Sequence, residues 1–274
     1  MKDKSVHYCF LGLLIFVLTG CVFPAQPSPV PEPVEYIVAE PERSELINAF
    51  KRMLAGQQDC APCFDANVTL TFNSWLKSGS VSGFLQAMSP SFIKFVAVSP
   101  LGQPFLLLST DGDQFHYIDV GQAKVFEGPV RTETFSRYAP KGFKPEFGYY
   151  WLIGRLWPGR MVITTVTGEA DRQSYWIDFA SSRDGLHSRV LFDPVRLVIK
   201  QHDLVDAGGN RLTRIHYGNH SQGACPLPGN ILVESSNQHE TLTLIMVWNE
   251  TNQSYDEHDF EIDLPRSFQR IFVK

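Results

Sequence analysis

Three cysteines beyond the N-terminal region have the side chains best suited to covalent chemistry. Cys60 and Cys63 form a C-x-x-C run, and Cys225 lies far along the chain. Such a run is typical of thioredoxin-like redox sites and of zinc sites, but no strand pattern precedes it and no second C-x-x-C pair follows it. We therefore expect a disulfide and no metal: either a local Cys60–Cys63 bridge or a bridge from one of these two cysteines to Cys225. Disulfide use indicates an oxidising compartment.

The histidines and carboxylates of the chain lack the spacing that catalysis requires. No G-x-S-x-G sequence is present for a hydrolase nucleophile. His216 and His220 are four residues apart, but they lie at the end of a strand-like run, so the helical geometry of a metal site is missing. His239 lacks the second histidine of an H-E-x-x-H motif. Residues 256–259 read Asp-Glu-His-Asp, for which we favour an exposed polar loop over the alternative of a cation site. We predict that the protein is not an enzyme and needs no cofactor.

A further cysteine, Cys21, ends a segment with the features of an export signal. A short, partly basic start precedes the apolar run of residues 10–18, which is too short for the roughly 20 apolar residues that span a bilayer. The sequence Leu18-Thr19-Gly20-Cys21 resembles a bacterial lipobox, whose cysteine carries acyl chains such as palmitate after cleavage. We predict a signal peptide over 1–20 and a lipid anchor at Cys21; an ordinary cleaved signal is the alternative. In enterobacterial lipoproteins an Asp directly after the lipidated cysteine usually marks retention at the inner membrane. By resemblance to them, Val22 at this position implies sorting to the outer membrane, with the protein facing the periplasm.

The rest of the chain divides into a spacer and one domain. Residues 21–42 have a proline at almost every second position from Pro24 to Pro33, which favours an extended polyproline tether. Residues 43–274 are long enough for a single sizeable domain, which we expect to be a monomer. The formal net charge is −5 and no long basic run occurs, so nucleic acid is not an expected partner.

Hydrophobic periodicity predicts one helix followed by many strands. Leu46, Phe50 and Met53 share one face of a helix that begins near Ser44 and stops at Gly56. Beyond the helix, apolar residues alternate with a period of two, as in Val68-Leu70-Phe72. Further predicted strands are 83–88, 91–98, 105–110, 114–120, 123–127, 174–180, 187–192, 196–205, 211–217, 230–234 and 240–248. Tight turns between them favour an antiparallel meander that curls into a barrel or half-barrel.

Two segments depart from the strand pattern. Residues 131–145 are polar and rich in Pro and Gly, which predicts a surface loop. Residues 146–157 read EFGYYWLIGRLW, are apolar nearly all round and are followed by Pro158-Gly159. A helix without a polar face must be buried on both sides. This segment is therefore either a lid over the curled sheet or a plain core helix.

Three stretches of the sequence show a family likeness. Residues 93–102, which end in Ser-Pro-Leu-Gly, and residues 150–159, which run from Tyr-Trp to Pro-Gly, are two of them. The third is residues 228–248, in which a Pro-Gly-Asn turn opens a strand pair that ends at a tryptophan. In order and spacing they resemble the LolB family of outer-membrane lipoprotein receptors, within the LolA/LolB superfamily. The extension 249–274 departs from that family, and its residues 260–265 are more similar to the terminal strand of LolA carriers.

The resemblance implies a mainly β fold with a few helices: an unclosed antiparallel β-barrel, or half-barrel, with an apolar cavity under a helical lid. In this family the cavity accepts the acyl chains of lipoproteins from a periplasmic LolA-like carrier and passes them into the outer membrane. Such a role needs apolar area rather than polar specificity, because acyl chains offer no hydrogen bonds. The alternatives are a relative that binds another lipid, such as phospholipid, and a structural envelope lipoprotein that docks a partner.

The same resemblance indicates candidate site residues. Leu101, in the turn shaped by Pro100 and Gly102, matches a leucine on a protruding loop that delivers cargo into the membrane. The alternative is a leucine that folds back onto the core. The candidates for the cavity and the lid are Phe72, Phe84, Phe95, Phe105, Leu107, Tyr150, Trp151, Leu242, Leu244 and Met246. For each of them, ordinary core packing is the competing interpretation.

Overall fold

The computed structural model describes residues 35–74, 78–132, 145–181, 187–236, 240–249, 254–263 and 266–273. The predicted signal peptide, the predicted anchor Cys21, the proline-rich spacer up to residue 34 and residues 133–144 of the predicted loop lie outside these ranges. Within them, no helix is both long enough and apolar enough to span a bilayer.

One β-sheet dominates the described part of the chain. Its fifteen strands there are β1 (Glu35–Ile37), β2 (Cys63–Asn73), β3 (Ser78–Met88), β4 (Phe92–Val98), β5 (Pro104–Thr110), β6 (Gln114–Asp119), β7 (Lys124–Pro129), β8 (Met161–Glu169), β9 (Tyr175–Ser181), β10 (His187–Asp193), β11 (Val198–Val205), β12 (Arg211–Gly218), β13 (Asn230–Ser235), β14 (Thr241–Trp248) and β15 (Gln269–Phe272). Their spatial order is β1-β8-β9-β10-β11-β12-β13-β14-β2-β3-β4-β5-β6-β7-β15. Neighbours are antiparallel except β7 and β15, which run parallel. β1 and β15 are the two edges, so the predicted unclosed antiparallel sheet is confirmed.

The sequence pattern identifies most of these strands and misses β1, β8 and β15. β1 and β15 are edge strands of three and four residues, too short to show a period. β8 contains an irregularity between Ile163 and Thr165 that interrupts the alternation of apolar residues. β1 also pairs with β8 along its whole length, so the sheet includes residues before the predicted boundary at residue 43.

The predicted first helix is confirmed as α1 (Glu42–Gly56), which packs against the sheet through its apolar face. Leu46, Ala49, Phe50 and Met53 are buried along that face. The ring of Phe50 is fully buried, with its centroid 5.4 Å from that of Phe192 on β10. We call the face of the sheet that α1 covers the inner face, and the opposite one the outer face.

The predicted helix over 146–157 is wrong in its length. A 3-10 turn at Pro145–Phe147 leads into α2 (Gly148–Leu152), which has only five residues. Gly154 follows with a φ of +65°, the left-handed conformation that commonly ends a helix and that favours glycine. Burial does extend over much of this segment, because Tyr149, Trp151, Ile153, Arg155 and Leu156 are all buried. The segment therefore packs into the core as an irregular turn rather than as a continuous helix.

The disulfide joins Cys60 to Cys225, so the local Cys60–Cys63 bridge is wrong and the bridge to Cys225 is right. Their Cα atoms lie 5.8 Å apart. Cys63 already belongs to β2, opposite Met88, where its free thiol is buried. Cys60 lies in the turn before that strand, where it can reach the loop that carries Cys225. The bridge thus ties the end of α1 to the loop between β12 and β13.

The predicted terminal strand over 260–265 is also wrong. Phe260 ends a 3-10 helix, Glu257–Phe260, and residues 261–263 form no strand; 264 and 265 lie outside the described ranges. The backbone carbonyl of Phe260 accepts a hydrogen bond from Ser109 Oγ, and Lys94 Nζ donates to the carbonyls of Asp259 and Glu261. Ser109 and Lys94 are paired across β4 and β5 on the outer face. This part of the chain therefore crosses the outer face before β15 pairs with β7.

Candidate functional site

The strand register divides the apolar residues of β2 and its neighbours between the two faces. Val68 on β2 lies opposite Met246 on one side and Gly83 on the other. Val68 and Met246 belong to the core cluster, and Gly83 pairs with Ala97 of the same cluster, so all three lie on the inner face. Because side chains alternate along a strand, Ala66, Leu70 and Phe72 point to the same face as Val68.

Burial along the inner face falls steadily from one end of β2 to the other. Ala66 and Val68 are 1% and 3% exposed, Leu70 is half-buried, and Phe72 is 40% exposed. β14 shows the same trend, from buried Met246 and Leu244 to half-buried Leu242. The inner face is therefore packed at one end and partly open at the other.

The open end forms an apolar surface that we call the trough. It consists of partly exposed side chains from four neighbouring strands, β13, β14, β2 and β3, and from β5: Leu70, Phe72, Val81, Leu106, Leu108, Val233 and Leu242. Most of them pack against the main core cluster, which forms the floor beneath them. The Phe72 ring lies over Gly79, where an added Cβ would come within 2.7 Å of Cε1. Only a glycine leaves room for the ring in this position.

Five of the predicted cavity residues lie on the inner face, but only two line the trough. Phe95, Leu244 and Met246 are buried in the core cluster, where they pack against other side chains of the protein. Phe72 and Leu242 remain partly exposed in the trough. For the first three, the core interpretation of the sequence describes what the structure shows.

Three other predicted cavity residues lie on the outer face. Phe84 pairs with Val96, and Val96 pairs with Leu107. Each is one residue along its strand from the inner-face residues Leu85, Phe95 and Leu108, so its side chain points to the opposite face. Phe105 shares the face of Leu107 by alternation along β5 and is 38% exposed. The sequence gives no means of choosing the face, because both neighbours in Phe84-Leu85 and in Leu107-Leu108 are apolar. The trough residues Leu106 and Leu108 are missed for the same reason.

The two predicted lid residues are in α2. Trp151 is buried and its ring lies edge-on to that of His202 on β11, at 6.3 Å between centroids. Tyr150 is half-buried, and its hydroxyl lies 3.3 Å from Ser89 Oγ. Trp151 thus belongs to the main core cluster together with Phe50 of α1, and Tyr150 packs against a second cluster that contains Ala87 of β3. Neither residue is among those that form the trough.

The polar rings on the inner face stay uncharged. His202 is buried, and burial lowers its pKa to about 4; its Nε2 lies 3.0 Å from Ser188 Oγ. Burial also raises the pKa of Tyr217 on the next strand. Both groups are neutral near pH 7, which keeps this part of the inner face compatible with apolar contacts.

The predicted membrane loop is a tight turn that exposes its leucine. Gly102 N donates to Ser99 O at 2.8 Å, and Gly102 has a φ of +76°. Pro100 and Leu101 occupy the two central positions, where proline is favoured at the first. The Leu101 side chain is 86% exposed and does not fold back onto the core.

No protein-family model matches the sequence, and no curated protein matches it. Several solved structures share its fold. They include a putative outer membrane lipoprotein-sorting protein domain from Vibrio parahaemolyticus, with 11% identity over 79% of this chain and 94% of the other and a TM-score of 0.52. A DUF1329 family protein from Desulfovibrio piger has 8% identity over 81% and 100% of the two chains, with a TM-score of 0.55.

A LolA superfamily protein from Nitrosomonas europaea is similar over 77% of this chain and 97% of its own, with 10% identity and a TM-score of 0.50. Identities this low establish a common fold and nothing about a common activity. The open sheet with helices on its inner face is therefore the fold of LolA-superfamily and lipoprotein-sorting-like domains, as the sequence resemblance implied.

Proposed function

We propose that the protein binds the acyl chains of lipids in the trough. The observation that carries this proposal is the fall in burial along the inner face, from 1% exposure at Ala66 to 40% at Phe72. An apolar surface inside a curved sheet gains free energy when hydrocarbon replaces water, at about 25 cal/mol per Å² covered. Acyl chains make no demand for hydrogen bonds, and the residues that form the trough are all aliphatic or aromatic.

The finer proposal is a receptor of the LolB kind. In it the protein is anchored by Cys21 to the outer membrane, faces the periplasm, receives lipoproteins from a LolA-like carrier and passes them into the membrane. The exposed Leu101 supports the last step, since a leucine held in water at a turn lowers its free energy by entering a lipid surface. We assign the protein a binding role and no catalysis.

Lipid binding is tested by placing a charge in the trough. The Leu242→Glu variant should lose about tenfold or more in affinity for a fluorescent fatty acid, because an unpaired carboxylate in an apolar site costs several kcal/mol. Val247→Glu is the matched control, since Val247 lies on the same strand but on the outer face and is 65% exposed. Mass spectrometry of extracts should find co-purifying lipid with the wild type and the control. Equal lipid in all three proteins would contradict the proposal.

Delivery is tested separately at the loop. Leu101→Glu should fold and bind fatty acid normally but lose transfer of a lipoprotein into liposomes. Val195→Glu is its control, because Val195 is 89% exposed in another turn of the sheet. Unchanged transfer by Leu101→Glu would remove the proposed role of the loop while leaving lipid binding intact.

Anchoring and transport are tested in the native cell. Cys21→Ala should release the protein from the membrane fraction, and depletion of the protein should cause other lipoproteins to accumulate away from the outer membrane. Normal lipoprotein localisation after depletion would contradict the receptor role.

The second candidate is a scaffolding lipoprotein that docks a protein partner. It is favoured by exposed apolar residues on the outer face: Phe84 and Val247, which flank Asn67 from either side, are 52% and 65% exposed. Under this alternative, Phe84→Ser should abolish partner capture, and the extracts of the purified protein should contain no lipid.

A further inference from the structure

A cleft of about 390 Å³ lies between the second half of α1 and the residues that follow α2. Its apolar walls include Leu54, Leu156, Trp157 and Met161, and Met161 also packs against the main core cluster. The ionisable side chains on its walls are Lys51, Arg155, Tyr149 and Tyr150. Among the described residues that line it there is no Asp or Glu. The cleft is thus apolar and cationic at once.

Arg155 is the unusual member of this set. Its side chain is only 6% exposed, and its Nη2 is buried without a hydrogen-bond partner among the described residues. The ion pairs found in the described ranges do not include it, and its guanidinium carbon lies 5.4 Å from the centroid of the Phe64 ring. A buried charge without a counter-ion costs several kcal/mol, so proteins normally pair it. Arg155 instead lines a cleft without an acidic residue among its described walls.

Arg155 also lines a second, smaller cleft of about 170 Å³. Arg52, Arg196 and His220 line it, and again no Asp or Glu occurs among its described lining residues. Cys60 lines both clefts, and its disulfide to Cys225 holds their walls together. Three arginines, Arg52, Arg155 and Arg196, therefore line the smaller cleft in a protein whose net charge is −5.

We propose that the larger cleft binds a phosphate group carried by an apolar molecule, with Arg155 and Lys51 as its charged contacts. Guanidinium and ammonium donors suit a phosphate, whose oxygens outnumber those of a carboxylate. The hydroxyls of Tyr150 and Ser89, which lie 3.3 Å apart, add polar groups at the same wall, whereas the hydroxyl of Tyr149 already donates to the carbonyl of Ala61. The cleft is much larger than a phosphate ion, and its aromatic and aliphatic walls suit the apolar remainder of a phospholipid. This site does not depend on the trough or on lipoprotein transfer.

The test uses the full lipidated protein in a neutral detergent and two probes. Dihexanoyl phosphatidic acid represents the lipid headgroup, and inorganic phosphate represents a free anion. Binding is measured by isothermal titration calorimetry, with the shift in Tm as a second readout. We expect the lipid probe to bind more tightly than inorganic phosphate, because only the lipid also covers the apolar walls.

Three variants identify the contacts. Arg155→Gln should weaken lipid binding about 10- to 100-fold, the range for losing a hydrogen bond to a charged group. Lys51→Gln, at an exposed position of α1, should weaken it about fivefold, and it keeps the test decisive if the buried variant fails to fold. Lys124→Gln, on β7 and outside both clefts, should bind like the wild type.

Each outcome decides a separate point. Loss of binding in Arg155→Gln and Lys51→Gln, but not in Lys124→Gln, supports the site. Equal affinity for inorganic phosphate and the lipid would overturn the phospholipid as the source. No binding by the wild type, or equal binding by all variants, would overturn the site itself. The trough variant Leu242→Glu should retain phosphate binding, so a failure of the acyl site and a failure of this one are distinguishable.

Discussion

The sheet has two halves. Both have an apolar inner face, but they differ in how far that face is covered and in the residues on the outer face. In the covered half, β8–β12, α1 and Trp151 of α2 pack on the inner face: Phe50 contacts Phe179 and Phe192, and Trp151 contacts His202. Tyr149 of α2 packs instead at the buried end of the open half, against Phe64. In the open half, which comprises β13, β14 and β2–β5, the inner face ends in the partly exposed trough. The inner face of the covered half is therefore buried by contacts within the protein, whereas the inner face of the open half leaves apolar area exposed at the trough.

The outer faces of the two halves also differ: one carries paired charges and the other exposed apolar residues. Across the covered half, Asp178, Arg189, Asp203 and Arg214 stand directly opposite one another on successive strands, with alternating charge. Arg214 binds Asp203 through both Nε and Nη2, at 2.9 and 2.7 Å. Paired charges across strands specify the register of a sheet. The outer face of the open half carries exposed Phe84 and Val247 instead.

This comparison indicates that one half mainly stabilises the fold and that the other can bind another molecule. The covered half is fixed on both faces by contacts within the protein, so substitutions there should cost stability. The trough of the open half leaves apolar area available to another molecule, so substitutions at its partly exposed residues should cost binding.

The largest expected effect is in the packed inner face of the covered half. Phe50→Ala should lower the free energy of unfolding by about 3–5 kcal/mol, because it removes a fully buried ring and leaves a cavity between α1 and two strands. Urea unfolding followed by circular dichroism measures this. A loss below 1 kcal/mol would mean that the helix is not an essential part of the core.

The charge pairs on the outer face should contribute less. Asp203→Ala should cost about 2–3 kcal/mol, because it removes the carboxylate that Arg214 and Gln201 both contact; Arg214 is partly exposed, so water recovers part of the loss. Asp113→Ala, which removes an exposed carboxylate 3.8 Å from Arg131, should change stability by less than about 0.5 kcal/mol. Equal losses in the two variants would contradict a structural role for the charge row.

A pH dependence should follow from His202 in the covered half. Burial lowers its pKa to about 4, below the value of about 6.5 for an unfolded histidine, so the unfolded chain binds the proton first as pH falls. Stability should therefore be fully present above pH 6.5 and should decrease by up to about 1.4 kcal/mol per pH unit between about 6.5 and 4. Urea unfolding of the wild type and of His202→Gln at pH 7.5, 6 and 5 isolates this contribution, since the other titrating groups are common to both. Parallel pH profiles would contradict it.

The sequence specifies the elements of the fold better than it specifies their faces. α1 and most strands follow from a single apolar period, because one side of each is buried. Where adjacent residues are both apolar, as in Phe84-Leu85 and Leu107-Leu108, the pattern does not show which of the two faces the core. A shift of one residue moves each side chain to the other face of the sheet. The trough could be predicted as a kind of surface from the family resemblance, but its residues depend on the register.

The remaining differences depend on tertiary contacts. The end of α2 is fixed by the left-handed Gly154 inside a run that is apolar nearly all round, so periodicity alone extends the helix too far. The choice of Cys225 over Cys63 depends on which loop lies beside the end of α1. Arg155 is a single cation in the same apolar run, and only the structure shows that it is buried between two clefts without a carboxylate partner in the described ranges.

A small expected change in stability, at a ring of the trough, distinguishes the two halves most directly. Phe72→Ala removes the same ring as Phe50→Ala, but from a position that is 40% exposed, so the free energy of unfolding should fall by only about 1 kcal/mol. Affinity for a fluorescent fatty acid should fall about fivefold, the equivalent of about 1 kcal/mol of lost apolar contact with the ligand. Phe50→Ala should show the reverse ratio at a temperature where it remains folded, with a large loss of stability and little loss of affinity. If Phe72→Ala proves as destabilising as Phe50→Ala and binds fatty acid normally, the open half is ordinary core and the trough is not a binding site.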